Sequence, residues 1–225
     1  MMNVALARCL AKLCGDGHIS PKYARYNNTC KALLSQFEKD LIEIFGEIHL
    51  TYGTVNSGTS FVQFQRRALI EFFFNYLESF GCNKIKIPKK VLEANIGIKL
   101  AFIGSFFDDE GCVGLRFSLS ENAWKRNVNF YSNSYGILKE IGEILFSLGI
   151  SCNRLRRNNR LKDDTWVLGI TGRRNIFLFR KYVPLTHPMK QYILDLMVES
   201  YNATPSKNPV KFADLLNKLE NKRDN

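Results

Sequence analysis

The 225-residue chain is 45% hydrophobic with 17 Phe, enough for a real core in one large domain or in two of about 100 residues each. Lys and Arg outnumber Asp and Glu 32 to 21, and the resulting +11 is spread along the chain, which suits a long polyanion laid across the whole molecule better than a basic tail on a neutral body. Six cysteines without a Cys-x-x-Cys pair, no signal-type N-terminus and no apolar run of the ~18–20 residues that cross a bilayer speak against a disulfide scaffold, a zinc site, secretion and a membrane protein.

In chain order, Val4–Cys14 predicts a helix that is apolar nearly all round, broken only by Arg8 and Lys12, which are four apart and share a face. After Gly17 a strand-and-turn region runs to about residue 28, followed by an amphipathic helix over 32–45. Strands at 50–55 and 61–65 flank a turn at Asn56-Ser57-Gly58, and a helix over 68–80 closes at Gly81. Residues 83–94, with Pro88 and four lysines, read as a linker. A second apolar helix spans 96–107. In the strand 113–120, Val113, Leu115, Phe117 and Leu119 lie on one face, with Gly114, Arg116, Ser118 and Ser120 on the other. Residues 128–131 would pair with it, a helix over 137–148 stops at Gly149, and 150–157 with 165–171 form a last hairpin. Helices at 175–182 and 188–201 precede a polar tail with a short helix at 213–221. Helix, hairpin, helix, hairpin, helix thus occurs twice. The expected fold class is α+β, a pseudo-two-fold tandem of αββαββα lobes over 1–95 and 96–201, with an extension over 202–225.

Both opening helices end in an acid followed by glycine, at Asp16-Gly17 and Glu110-Gly111. An acid at a helix C-terminus opposes the partial negative charge there and costs roughly 0.3–1 kcal/mol, while glycine suits a left-handed helix stop. A single Asp-Gly is ordinarily a turn. Its repetition at half-chain spacing points to function. Ala11 and Gly15 on one helix, and Gly104 and Ser105 on the other, would let the two backbones approach. Asp16 and Glu110 would then meet as a divalent-metal site. His18, His49 and His187 are too dispersed for a histidine metal centre.

Cys9–Gly17 and Phe106–Gly111 resemble the two motif copies of the LAGLIDADG homing endonucleases, and element order extends the likeness over about residues 4–200. Lys12, Cys14 and the pair Gly104-Ser105 depart from the motif at packing positions. The resemblance implies a monomer of two lobes whose antiparallel sheets lie in the DNA major groove, cutting both strands of a long asymmetric site in double-stranded DNA. It is similar to free-standing members that promote intron mobility, which implies an intracellular location: cytoplasmic in an archaeon, otherwise a mitochondrion or chloroplast. The alternatives on the same fold are an RNA maturase acting on intron RNA and a DNA-binding protein without cleavage.

Phosphodiester hydrolysis needs an activated water and charge stabilisation, which Mg²⁺ supplies through carboxylate, water and phosphate oxygens. Mn²⁺ is expected to substitute, and Ca²⁺ to bind without supporting cleavage. Asp16 and Glu110 are the expected metal acids, completed by the carbonyls of Gly15 and Asp109; Asp108 is read as structural. Gln65 and Arg173, each following the last strand of its lobe, are the candidates for a polar catalytic partner, with Arg66 and Arg174 as neighbours. DNA contacts are expected from Arg25, Gln63, Gln65 and Arg66 in the first lobe. In the second they are expected from Arg116, Ser118, Ser120, Arg154 and Arg156, with Lys125, Arg126, Arg157, Arg160 and Lys162 in or beside turns.

Overall fold

A computed structural model describes residues 2–55, 57–77, 84–158, 164–206 and 208–221. The first lobe runs α1 (Val4–Cys14), β1 (Gly17–Ile19), β2 (Ala24–Asn28), α2 (Lys31–Phe45), β3 (Thr51–Thr54), β4 (Ser60–Phe64) and α3 (Arg67–Phe74). A short α4 (Lys89–Leu92) leads into the second: α5 (Ile96–Glu110), β5 (Gly111–Ser118), β6 (Ala123–Ser132), α6 (Tyr135–Ser147), β7 (Arg156–Arg157), β8 (Trp166–Ile170) and α7 (Arg173–Tyr182). Then come α8 (Pro188–Glu199), a 3₁₀ turn (Ser200–Asn202) and α9 (Pro209–Glu220). Each lobe carries a four-stranded antiparallel sheet, ordered β1-β2-β4-β3 in the first and β5-β6-β8-β7 in the second.

The two opening helices form the seam between the lobes, which is why neither has a solvent face. Leu6, Leu10 and Leu13 of α1 and Phe102, Ile103 and Phe106 of α5 are buried. Each is started in the same way: Asn3 Oδ1 accepts the Leu6 amide at 2.8 Å and Asn95 Oδ1 accepts the Ile98 amide at 3.1 Å. Such a cap satisfies a backbone donor that the first turn leaves free, contributing about 1 kcal/mol. Under each sheet lies a phenylalanine cluster. Phe45 meets Phe72 and Phe73 edge-on at 5.1 and 5.8 Å in the first lobe, and Phe107 meets Phe130 and Phe179 at 4.8 and 5.2 Å in the second. Burying one such ring contributes about 1.5–3 kcal/mol.

Several expected boundaries move. The strand at 113–120 ends at Ser118, and Leu119, 88% exposed, belongs to the turn instead of the core face. Its partner is longer than expected, Ala123–Ser132, so Lys125 and Arg126 sit inside a strand and not beside a turn. The segment 150–157 reduces to two paired residues, Arg156 and Arg157, leaving Arg154 outside the sheet. Asn56, Arg160, Lys162 and the expected helix end at Phe80-Gly81 lie outside the described residues. The linker is anchored to the second lobe: the Ile87 amide donates to Glu140 at 2.7 Å and Ser134 Oγ donates to the Ile85 carbonyl at 2.5 Å.

Candidate metal site and nucleic-acid interface

α1 and α5 cross one residue before each motif acid. A Cβ added to Gly15 would lie 2.9 Å from Asp109 Cβ and from Asp109 Oδ2, so glycine at 15 is what lets the helices touch. Gly104 does not share this role: a Cβ there would lie 1.9 Å from the Pro184 carbonyl, so the glycine admits the segment before α8 and not the partner helix. Nor are Gly17 and Gly111 left-handed; the glycines with positive φ are 46, 58, 149 and 172 among the described residues. Both open a strand, Gly111 with φ −99° and ψ 157°. They are glycines because a Cβ would meet Leu13 Cα at 2.4 Å or the Phe107 ring at 2.3 Å. The motif thus turns directly from helix to strand, leaving its acid on the corner.

The two acids stand in unequal surroundings. Asp16 is exposed and accepts a hydrogen bond from Asn28 Nδ2 at 3.0 Å. Its carboxyl is nevertheless raised above the usual range, chiefly by burial within the recess, with Lys190, Lys12 and Asn28 opposing. Glu110 is half-buried and pushed up to about 7, by burial first and then by the charge of Asp16, with Lys190 opposing. The charge of Asp16 felt at Glu110 places the two carboxylates in one region of space.

Around them lies a network that the motif residues alone do not predict. Lys12 is fully buried; its Nζ donates to Tyr26 Oη at 3.4 Å and stands 4.7 Å from the Tyr26 ring centre. Tyr26 Oη in turn donates to Asp109 Oδ1 at 2.5 Å, and Asn28 Nδ2 reaches the same oxygen at 3.3 Å. Asp109 Oδ2 is the one buried side-chain polar atom without a hydrogen-bond partner among the described residues. Burial pushes the Asp109 carboxyl up to about 8, against the opposing charge of Lys12. Asp108, 2% exposed, accepts the amides of Thr186 and His187 at 2.8 and 3.0 Å and so ties α5 to the start of α8, the structural role expected of it.

The basic residue that sequence reasoning missed is Lys190, on α8. Its ammonium donates to the carbonyls of Phe107, Asp108 and Asp109 at 3.0, 2.6 and 3.4 Å, neutralising the negative end of α5. Burial lowers its pKa while Asp108 and Asp109 oppose that fall. The Asp109 carbonyl, expected as a metal ligand, therefore already has a cationic partner. A polar cleft of about 530 Å³ opens here, with Asp16, Asn28, Thr59, Asp109, His187 and Lys190 among its walls.

Gln65 and Arg173 are not brought to these acids. Gly17 pairs with Tyr26, which pairs with Val62, and β4 then runs outward, so Gln65 lies three residues beyond, about 10 Å along the strand. Arg66, exposed, follows Gln65 at the start of α3. Arg173 opens α7 after β8 and stacks at 5.5 and 5.7 Å on Phe177 and Tyr201, with the exposed Arg174 next to it. The last strand of each lobe runs away from the seam, which a linear sequence does not reveal.

The outward sheet faces carry the expected polar set, with exceptions. Arg25 Nε donates to Gln63 Oε1 at 2.8 Å across the β2–β4 pair, and its guanidinium lies 4.1 Å over the Phe61 ring. Arg116 and Lys125 are direct cross-strand neighbours, with Ser118 beyond them, Ser120 in the exposed turn, and Arg154 and Arg156 exposed near the β7 edge. Arg126 belongs to the other face: it shares parity with Trp124 and Val128, and donates to Ser200 Oγ at 2.6 Å and the Ser200 carbonyl at 2.8 Å. Arg157 pairs with Trp166, lies 5.3 Å over that ring and bonds Asp164 at 2.9 Å.

A divalent cation fits this donor set. Two acids raised by burial, Glu110 further by the charge of Asp16, gain from a shared cation. No group of three or more Cys, His, Asp or Glu that could hold a metal by itself occurs among the described residues.

Residues 97–184 match the family described as the LAGLIDADG-like domain. The chain superposes on a structure of mesophilic variants of the homing endonuclease I-DmoI with TM-score 0.59 at 14% identity, covering 80% of this chain and 95% of that one. It matches the homing endonuclease I-WcaI bound to its DNA recognition sequence with TM-score 0.57 at 15% identity, covering 86% and 87%. A K262A mutant of I-SmaMI matches with TM-score 0.59 at 11% identity over 95% of this chain and 96% of that one. Among curated sequences, the NrdEB alpha subunit of ribonucleoside-diphosphate reductase from Bacillus subtilis (strain 168) is 24% identical over 174 residues, 70% of this chain and only 16% of that longer protein. Residues 97–184 thus match a LAGLIDADG-like domain, and the chain as a whole shares the two-lobed fold of the homing-endonuclease structures.

Proposed function

We propose that this protein is a site-specific, divalent-metal-dependent endonuclease that cuts both strands of a long asymmetric DNA site as a monomer, and that the cut promotes mobility of its own coding intron. The observation that carries this reading is the charge coupling of Asp16 and Glu110 at the ends of the two seam helices. Two unneutralised acids against helix C-termini weaken the fold, and a shared cation is the economical reason to keep them. Solved neighbours add support: I-DmoI has been captured with DNA and Mn, and with DNA and Ca.

In this reading Asp16 and Glu110 hold the metal, one from each lobe, with the Gly15 carbonyl beside Asp16. Mg²⁺ or Mn²⁺, when bound, would lower the pKa of a water and offset charge on the phosphate. Lys190 keeps the α5 carbonyls and Asp108 in place, so that Glu110 is presented on a fixed helix end. Asn28 orients Asp16 from the neighbouring strand. Arg25, Arg116 and Lys125, on the strand faces opposite the core, supply phosphate and base-edge contacts, with Gln63, 5% exposed, holding the Arg25 guanidinium.

The test is incubation with duplex DNA spanning the insertion site of the coding intron, in Mg²⁺. Double-strand cleavage is expected for the wild type. Asp16→Asn or Glu110→Gln should lower it by about a thousandfold or more, with DNA retention in Ca²⁺ largely kept. Undiminished nicking by either variant would remove the metal assignment, and retention of precursor RNA in place of the duplex would favour the maturase.

A further inference from the structure

The strands that leave the two motif helices differ in reach. β1 starts at Gly17 and pairs with β2 at three positions, ending at Ile19↔Ala24. β5 starts at Gly111 and pairs with β6 at eight positions, ending at Ser118↔Ala123. At about 3.3 Å per residue, five further positions carry the second hairpin about 17 Å farther from the seam. β8 covers β6 only from Ser132 to Val128, so the outer part of β5–β6 projects past the sheet as a two-stranded ribbon. Such a ribbon is marginally stable alone, and Phe117, Trp124 and Arg126 on its inner face would be bare.

They are covered by the residues after α8. Phe212 of α9 meets Phe117 at 4.6 Å and Trp124 at 5.8 Å, both edge-on. Trp124 Nε1 donates to the Ala203 carbonyl at 2.5 Å, and Arg126 is held by Ser200 with its guanidinium 4.1 Å over Tyr201. Ala203 and Leu215 are buried. The opposite face of the ribbon carries Gly114, Arg116, Ser118, Ala123, Lys125 and Asn127, mostly polar, with two cations side by side at its middle, Lys125 also bonded to Glu121 of the turn. A two-stranded ribbon is of the right width for the major groove.

We propose that the 3₁₀ turn Ser200–Asn202, Ala203 and α9 brace the β5–β6 ribbon as a DNA-reading arm, so that the second lobe specifies a half-site about five base pairs longer than the first. The length follows from about 17 Å of extra ribbon against the 3.4 Å rise of a base pair. This rests on the reading of the protein as a DNA endonuclease, and it gives the extension after residue 201 a role in specificity.

The experiment is selection from a library of randomised 40-base-pair duplexes on the full chain in Ca²⁺, followed by sequencing of what is retained. Base preferences should extend about five positions farther from the centre on one side than on the other. The double variant Arg116→Ala with Lys125→Ala should flatten only the outermost positions of the longer side, and Arg25→Ala with Gln63→Ala only the shorter side. Phe212→Ala should weaken the outer preferences about tenfold while the central ones stay. Should Phe212→Ala not fold by circular dichroism, the exposed Arg116–Lys125 variant decides alone. Half-sites of equal extent, or outer preferences unmoved by that double variant, overturn the arm while leaving the endonuclease reading intact. Retention of no duplex at all overturns both.

Discussion

The ends of the two motif helices share a backbone plan and differ in chemistry. At the end of α1, Asp16 is open to solvent and held by a single Asn28 hydrogen bond. The end of α5 is enclosed: Asp108 accepts two amides from the segment before α8, Lys190 takes three terminal carbonyls, and Glu110 is half-buried. The difference traces to α8, which follows α7 in the second lobe, whereas the first lobe passes from α3 into the linker. Pseudo-symmetry sets where the two acids stand; the added helix sets how wet each one is. Two halves built on one plan need not hold their acids in equal surroundings.

The sharpest way to break the comparison is at the glycines. Gly104→Ala would drive a methyl group to 1.9 Å from the Pro184 carbonyl, a backbone atom that cannot swing aside. A loss of about 3 kcal/mol is expected, read as a shift in urea midpoint. Gly15→Ala meets Asp109 Cβ and Oδ2 at 2.9 Å, a full ångström farther than the Pro184 clash, so a smaller loss of about 1–2 kcal/mol is expected. Equal losses would mean that the segment before α8 is not seated against α5.

Lys190→Met comes next. It strips the ammonium from the Phe107, Asp108 and Asp109 carbonyls, and about 1–3 kcal/mol of stability should go with it. Lys190→Arg should restore part of this. Calorimetric Mn²⁺ binding should weaken with Lys190→Met only if the cap positions Glu110, so unchanged metal affinity would confine Lys190 to a structural role.

These positions show what a single sequence can reveal. The position of the two acids at the ends of the opening helices, the order of elements and the alternation of Val113, Leu115 and Phe117 were legible, because helix and strand periods and a doubled Asp/Glu-Gly are local patterns. Lys190 was not, since it reaches α5 across about 80 positions of chain from a helix with an ordinary pattern. Where Gln65 and Arg173 stand relative to the acids was not legible, because strand direction is decided by pairing, and both strands run away from the seam. Gly17 and Gly111 were recognised as necessary for the wrong reason: the contact that forbids a Cβ is with the preceding helical turn, invisible until the chain turns back as a strand.

pH separates the two ends further. Glu110 titrates near 7 and Asp109 near 8 in the fold, both above their unfolded values, so the folded chain holds more protons than the unfolded one between those limits. Stability without metal should therefore fall as pH rises from about 4.5 through 8, the reverse of a salt-bridged carboxylate. Thermal melts from pH 5 to 8 check this, and Asp109→Asn should flatten the upper part of the slope. A metal-free melting temperature rising over that range would refute the assignment. Metal binding needs the ionised acids and should strengthen as pH rises through 7.

The smallest effect is expected at the most conspicuous departure from the motif. Lys12 is fully buried, and its partners are the Tyr26 hydroxyl, the Tyr26 ring and the charge of Asp109. Breaking a buried ion pair normally costs about 3–5 kcal/mol, because the remaining charge is stranded. Asp109 has a way out: burial pushes its carboxyl up to about 8 even beside Lys12, so it already holds a proton at neutral pH, and losing Lys12 strands no charge there while the Tyr26 hydrogen bond is kept. Lys12→Met fills the same volume with an unbranched apolar chain, so the change at pH 7 should stay within about 1 kcal/mol. The compensation should fail at high pH, where Asp109 ionises against nothing. A denaturant midpoint that matches wild type at pH 6.5 and drops at pH 9 would show the proton replacing the lysine. A full-sized loss already at pH 6.5 would show instead that Lys12 and Asp109 are an obligatory ion pair at the seam.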